Sequence, residues 1–259
     1  MPFGVVILFT CAIVGLACYI IYVHIEERKL IELVTPPTRG EWSERRVILN
    51  LLKADINPRA IFHDLYIQKP NGEYTQVDLV AATKAGLIVF EVKEYSGWLF
   101  GSENQRYWTQ ILAYGNEKHR FYNPVMQNAG HIQAIRKCLP QNPGIPVYSV
   151  IVFYGNCELK SITCNAENTF IISPCYIRSV VSEILEQPDA KFGNKREIMS
   201  VLSKAVQNGN DPEIVASQIN SAAYYGRNRP QSIYTLSFNS LFRFSLFRFR
   251  MFPFRKRFW

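Results

Sequence analysis

Apolar and polar positions alternate along this chain in ways that predict most of its elements. Residues 2–23, PFGVVILFTCAIVGLACYIIYV, contain no charged side chain. A helix of that length crosses a hydrocarbon core of about 30 Å, so the run predicts a transmembrane anchor. A cleaved signal peptide would need a basic residue before the run and a small-x-small site after it. Here no Lys or Arg precedes Arg28, and the run ends in bulky Tyr22 and Val23. Arg28 and Lys29 flank only the C-terminal side. That asymmetry predicts the N-terminus outside and the rest of the chain in the cytoplasm.

Thr35-Pro36-Pro37 stops the first helix. A second helix is predicted from near Gly40, because Val47, Ile48, Leu51 and Leu52 recur at helical spacing. Ile61–Ile67 alternates as a strand, and Pro70-Asn71-Gly72 makes a hairpin turn. Strands over Thr75–Ala82 and Gly86–Lys93 follow, then an extended aromatic excursion through Trp98, Phe100, Tyr107 and Trp108. Asn123-Pro124 opens a helix that runs to about Leu139. Val147–Tyr154 reads as a buried strand and Thr169–Ile172 as another. Helices are predicted over Ile177–Glu186, Lys195–Val206 and Asp211–Ala223. From Leu236 the pattern fails, and Phe or Trp alternates with Arg in LSFNSLFRFSLFRFRMFPFRKRFW. No stable fold is expected there.

Charge refines this picture. The chain of 259 residues has a net charge of +8. Residues 1–223 carry 21 basic and 21 acidic side chains, so the excess belongs to the acid-free tail. Such a tail suits contact with an anionic bilayer or with nucleic acid, and the neighbouring anchor favours the bilayer. The balanced body does not have the charge of a domain that binds nucleic acid over its whole surface. The six Cys show no C-x-x-C spacing, which argues for reduced thiols over a zinc site.

The chemistry concentrates in TQVDLVAATKAGLIVFEVKEYSGW, residues 75–98. Side chains two apart on a strand share a face, so Glu91 and Lys93 point together. A hairpin about Lys84-Ala85-Gly86 brings Asp78 beside Glu91. Burying such charges is costly unless they pair or bind a metal. Two carboxylates with room for water suit Mg²⁺ or Mn²⁺, with the Val92 carbonyl able to complete the shell and Lys93 able to orient water. Gln76 shares the strand face of Asp78 and is a candidate support. Glu44 falls on the inward side of the second helix, or else is a solvated first-turn acid favoured by the helix dipole. Gln127 and His131 are neighbours on one helix face. His131 by itself reads as a hydrogen-bonded helix histidine. No glycine-rich phosphate loop is present, so ATP use is not indicated.

The ordered phrases TQVD (75–78), FEVK (90–93), YSGW (95–98), YWTQ (107–110), FYNP-x-x-QN (121–128) and GHI (130–132) resemble the nuclease-related domain family, NERD. That family is placed in the PD-(D/E)xK restriction-endonuclease-like superfamily, and the resemblance spans about Arg39 to Cys138. It implies an α/β fold, an α+β mixed sheet with an α-β-β-β-α-β core. This core is accompanied here by an N-terminal transmembrane helix and extra C-terminal helices. It implies Asp78 and Glu91 as metal ligands, Lys93 as the catalytic lysine, Glu44 assisting at the metal, and Gln127 approaching from the helix. The family's Gly-Glu pair has two matches: Glu44 follows Ser43, whereas Glu41 follows Gly40.

The expected organisation is an anchor at 1–25, a juxtamembrane linker at 26–38 and a nuclease-like domain at 39–155. A mainly helical extension at 156–223 and a basic aromatic tail at 224–259 follow. The expected function is a membrane-anchored, Mg²⁺-dependent nuclease acting on DNA or RNA. The alternative is an inactive nuclease fold that binds nucleic acid or serves as a scaffold at the membrane. A purely structural membrane protein would leave three charged residues on apolar strands unexplained.

Overall fold

The computed structural model describes residues 3–112 and 115–227. Helix α1 (Phe3–Glu32) takes up the charge-free run from Phe3 and continues to Glu32. Its segment Phe9–Glu32 is long and apolar enough to cross a membrane. The stretch expected as a linker is therefore helical in its first half, and it is fastened to the domain. Glu27 accepts from Arg46 of helix α2 (Trp42–Leu52) at 3.0 Å and from Lys53, the C-cap of that helix, at 2.5 Å. Ile31 is buried in the domain core.

Five strands form the main sheet: β1 (Ile61–Gln68), β2 (Tyr74–Thr83), β3 (Gly86–Glu94), β7 (Val147–Tyr154) and β9 (Thr169–Ile172), in the order β1-β2-β3-β7-β9. The first three are antiparallel, and β7 and β9 run parallel to β3. One face packs on α2 and α4 (Ile177–Leu185). The other packs on α3 (Pro124–Lys137) and α5 (Lys195–Asn208). A last helix, α6 (Pro212–Arg227), follows. The β3 strand is buried on both faces, which explains its near-continuous apolar run. The order helix, three strands, helix, strand in 42–154 is the expected core, within a mixed α/β fold.

The aromatic excursion resolves into β4 (Gly97–Ser102), β5 (Tyr107–Leu112) and β6 (Glu117–Tyr122). With β8 (Cys157–Thr163) they make a second sheet, ordered β6-β5-β4-β8. Neither β6 nor β8 was legible from alternation alone. The parallel pair β3/β7 becomes the parallel pair β4/β8 across one corner, held by Tyr95 N–H to Tyr154 O (3.0 Å) and Gly97 N–H to Asn156 O (2.9 Å). Gly97 (φ 76°) and Gly155 (φ 87°) turn that corner, and a Cβ on either would overlap a backbone carbonyl of the neighbouring segment. The second sheet then folds back, so that Leu99, Trp108 and Phe121 pack on Ile151 and Phe153 of β7. Residues 156–223 thus contribute a strand to each sheet as well as helices.

One rung of the main sheet is irregular. Ladder pairs His63↔Leu79 and Leu65↔Val77 flank Asp64 and Asp78, which are not themselves paired. Asp64 has φ 55°, a left-handed conformation rare for a residue with a Cβ. Phe62 and Leu65, three apart, consequently reach the same core cluster, as do Val77 and Val80. The strands switch faces at this rung.

Candidate active site

The irregular rung lies where Asp78 meets the end of β3. The ladder between β2 and β3 closes at Leu79↔Phe90, and beyond it the Asp78 Oδ2 accepts the Val92 amide at 2.7 Å. A carboxylate thus replaces a main-chain acceptor and is fixed beside the Glu91-Val92-Lys93 segment. Glu91 is wholly buried. Its Oε1 lies 2.5 Å from Lys93 Nζ, and its Oε2 lies 3.2 Å from His131 Nε2. Both carboxylate oxygens and His131 Nε2 remain without a hydrogen bond of good geometry. The Lys93 side chain is 23% exposed, so it forms the wet edge of the cluster.

The charges tune one another. Burial and the Glu91 charge push the Asp78 carboxyl well above the ordinary carboxylate range. Burial pushes Glu91 upward too, but Lys93 and His131 outweigh it and hold Glu91 below its usual value. Burial works to lower Lys93, yet the charges of Glu91 and Asp78 carry it above the ordinary lysine value. Lys93 is therefore an ammonium at neutral pH, a donor and a positive charge rather than a base.

Helix α2 supplies the third acid. Glu41 is its exposed N-cap, and the two Glu side chains close a capping box, with Glu44 Oε2 accepting the Glu41 amide at 3.3 Å. Glu44, not Glu41, is buried, so the solvated reading of Glu44 gives way to an inward carboxylate. Its Oε2 lies 2.8 Å from His63 Nε2, and His63 Nδ1 lies 2.9 Å from Thr35 Oγ1. Gly40, with φ 78°, lets the chain pass directly over the His63 ring. The negative charge of Glu44 still reaches Asp78 and adds to its upward shift.

The remaining candidates separate. His131 is more than a helix histidine with a local hydrogen bond. It is buried, with Nδ1 at 3.0 Å from Thr75 Oγ1 and Nε2 facing Glu91. Gln127, one turn earlier, is half-buried, and among the described residues no side-chain hydrogen bond joins it to the carboxylates. Gln76 supports Asp64 rather than Asp78, through Nε2 to Oδ1 at 2.8 Å. The Asn residues of the FYNP-x-x-QN phrase are braces. Asn123 caps α3 and donates to the carbonyls of Ser102, Glu103 and Gln105. Asn128 ties α3 to Val89 O and Ser149 Oγ. His63 and Asp64 were missed in the sequence, although a His-Asp pair inside the apolar run IFHDLYI breaks its alternation visibly.

Among the described residues no three His, Cys, Asp or Glu side chains converge as an all-protein metal cage. The half-buried Asp78 carboxylate adjoins the buried Glu91 carboxylate, whose oxygens face Lys93 and His131 rather than backbone donors. That fits Mg²⁺, which takes one or two carboxylates and fills its shell with water and substrate phosphate.

Residues 39–154 match the family model of the nuclease-related domain, NERD. An uncharacterized protein of Bacillus anthracis is 29% identical over 153 residues, covering 59% of this chain and 70% of the relative. No solved structure matches.

Proposed function

We propose that this chain is a membrane-anchored nuclease that hydrolyses phosphodiester bonds with Mg²⁺ or Mn²⁺. The observation that carries the reading is the Asp78–Glu91–Lys93 cluster, in which the wholly buried Glu91 carboxylate is met by the Lys93 ammonium on one oxygen and by the His131 ring on the other. Asp78 and Glu91 would hold the ion, and Glu44 would add negative charge from α2. The ion would supply charge stabilisation on the scissile phosphate and a more acidic bound water. Lys93, held protonated by the two carboxylates, donates to the attacking water or a phosphate oxygen and balances developing charge. His131 and Thr75 hold the Glu91 carboxylate in place from the α3 side. Helix α1 would anchor the domain with its N-terminus outside and the cluster on the cytoplasmic side. The basic aromatic tail at 224–259, most of which lies outside the described residues, would add contact with the bilayer.

A second reading, a nucleic-acid-binding module without cleavage, is favoured by one observation. The carboxylate of Glu44 is engaged by His63 and the Glu41 amide, away from the other two. The deciding experiment offers single- and double-stranded DNA and RNA to the full chain in detergent, with EDTA, Mg²⁺ or Mn²⁺. Metal-dependent cleavage lost in Asp78→Ala and Lys93→Ala is the expected result. Binding without cleavage by the folded protein supports the second reading. Cleavage that survives both substitutions overturns the assignment of the site.

A further inference from the structure

The second sheet has a face that the core does not use. Leu99, Trp108 and Phe121 point inward, so the alternate residues of β4, β5 and β6 point outward. Those residues include Trp98, Phe100, Tyr107 and Tyr122. Trp98 is 37% exposed and the other three are half-buried. Register places them in adjacent rungs: Trp98 opposes Ile111, Phe100 opposes Thr109, and Tyr107 opposes Tyr122. Tyr107 and Tyr122 meet edge to face at 6.3 Å.

Cations surround these rings. The Arg106 and Arg120 guanidiniums lie over the Tyr107 ring at 5.7 and 5.6 Å, and Lys160 lies over Trp98 at 5.4 Å. Lys118 projects from the same face two residues before Arg120. Among the described residues Arg106, Lys118 and Arg120 form no ion pair with an acid, although the domain as a whole is charge-balanced. Aromatic residues alone would only report a strand's preference for them. Lys160 is paired with Glu158 at 2.6 Å, but rings in register on an open sheet face, rimmed by Arg106, Lys118 and Arg120 without acid partners, have the chemistry of a stacking platform for bases with phosphates running alongside.

We propose that the outer face of the β6-β5-β4-β8 sheet binds single-stranded nucleic acid and delivers it to the Asp78–Glu91–Lys93 cluster. This rests on the nucleic-acid reading of that cluster and names the form of its substrate. The platform adjoins the site along α3. The Asn123 amide bonds the Arg106 carbonyl at 3.1 Å, and His131 lies eight residues further along the helix, about 12 Å of rise.

The test measures binding by fluorescence anisotropy on the full chain in detergent, with EDTA present so that nothing is cleaved. The probes are labelled oligo(dT), oligo(rU) and a mixed-sequence duplex of equal length. The single strands are expected to bind more tightly than the duplex. Trp98→Ala should weaken oligomer binding about tenfold, the effect of removing one stacking ring. The double variant Arg106→Gln, Arg120→Gln should flatten the dependence of log affinity on log salt by about 0.7 for each phosphate that is no longer neutralised. Thermal melts of each variant establish that the fold survives, and the two Arg changes touch no core side chain. Strands bound as tightly by both variants as by the unaltered protein would overturn the platform while leaving the cluster's reading intact. Tighter binding of the duplex would also overturn it. Failure to bind any probe would bring down the nucleic-acid reading of the cluster as well.

Discussion

Replacing Asp78 by Asn should stabilise the metal-free protein and abolish its stabilisation by Mg²⁺. In the folded chain Asp78 keeps its proton to higher pH than in the unfolded chain, because it is buried and faces Glu91. Between those two titrations folding takes up one proton. Stability then falls by about 1.4 kcal/mol for each unit of rising pH. Glu91 has the opposite sign. Its folded titration is depressed, so its contribution is present above the unfolded value and is lost only as pH falls through the folded one. The two windows lie on opposite sides of the ordinary carboxylate range, and above about pH 5 only Asp78 of this pair contributes a slope. For a protein of this size 1.4 kcal/mol corresponds to roughly 3–6 °C in Tm.

The measurement is calorimetry of the full chain in detergent from pH 5 to 8, with EDTA or Mg²⁺. Other groups titrate in the range, so the informative quantity is the difference between Asp78→Asn and the unaltered protein. That difference should grow with pH and then level off once Asp78 is ionised. The amide oxygen of Asn still accepts the Val92 N–H, so the substitution changes charge and little else. Mg²⁺ at ten times its Kd should raise the Tm of the unaltered protein by a further 3–6 °C or so, equivalent to about 1.4 kcal/mol, and leave the variant unmoved. Parallel Tm curves across the whole pH range would refute the buried like-charge pair. Equal Mg²⁺ shifts in both proteins would refute Asp78 as a ligand.

Three further substitutions bear on the site and its frame. Lys93→Ala should abolish metal-dependent cleavage and lower stability by about 1–3 kcal/mol, less than for a fully enclosed pair because Lys93 is partly solvated, as read by denaturant melts. His131→Ala removes the imidazole that faces Glu91 Oε2 and should weaken Mg²⁺ affinity about 10–100-fold, measured by titration, with partial rescue by His131→Gln. Gly101→Ala places a Cβ against the Trp108 indole and should cost about 1–3 kcal/mol of stability, visible as a lower Tm, without altering the Asp78–Glu91–Lys93 cluster.

The carboxylates and lysine were legible because they interrupt apolar strands at positions where alternation assigns a face. The hairpin cue at Lys84-Ala85-Gly86 sufficed to bring Asp78 beside Glu91. Strand β8 escaped because its inward face, Cys157, Leu159 and Ile162, is interrupted by the register shift at Lys160-Ser161, which leaves too short an alternating run to read. It exists through its parallel pairing with β4, which the corner at Gly97 and Gly155 sets up. His131 was seen but not placed, since its meeting with Glu91 requires α3 to cross the sheet on that face. Its own sequence neighbourhood gives only helical spacing. The sequence favoured Glu44 with Glu41 as a competitor, and the structure separates them, with Glu41 as the exposed N-cap and Glu44 buried.

The site also depends on a conformation that the chain would not adopt alone. A left-handed Asp64 is costly by about 1–3 kcal/mol, and it persists because its surroundings hold it. Arg39 donates to Asp64 Oδ2 at 2.6 Å and to the Asp64 carbonyl at 2.7 Å, and is itself braced on the Val206 carbonyl of α5. Gln76 satisfies the other carboxylate oxygen. This brace keeps the Asp64 rung open. The open rung leaves Asp78 out of the β1–β2 ladder, so its carboxylate is free to reach the Val92 amide and lie beside Glu91. Residues just before α2 thus have two tasks: Thr35 supports His63 and through it Glu44, and Arg39 holds the strand irregularity that positions Asp78. Because the same segment follows α1 directly, the acids of the candidate site are tied through about ten residues to the helix that would enter the membrane.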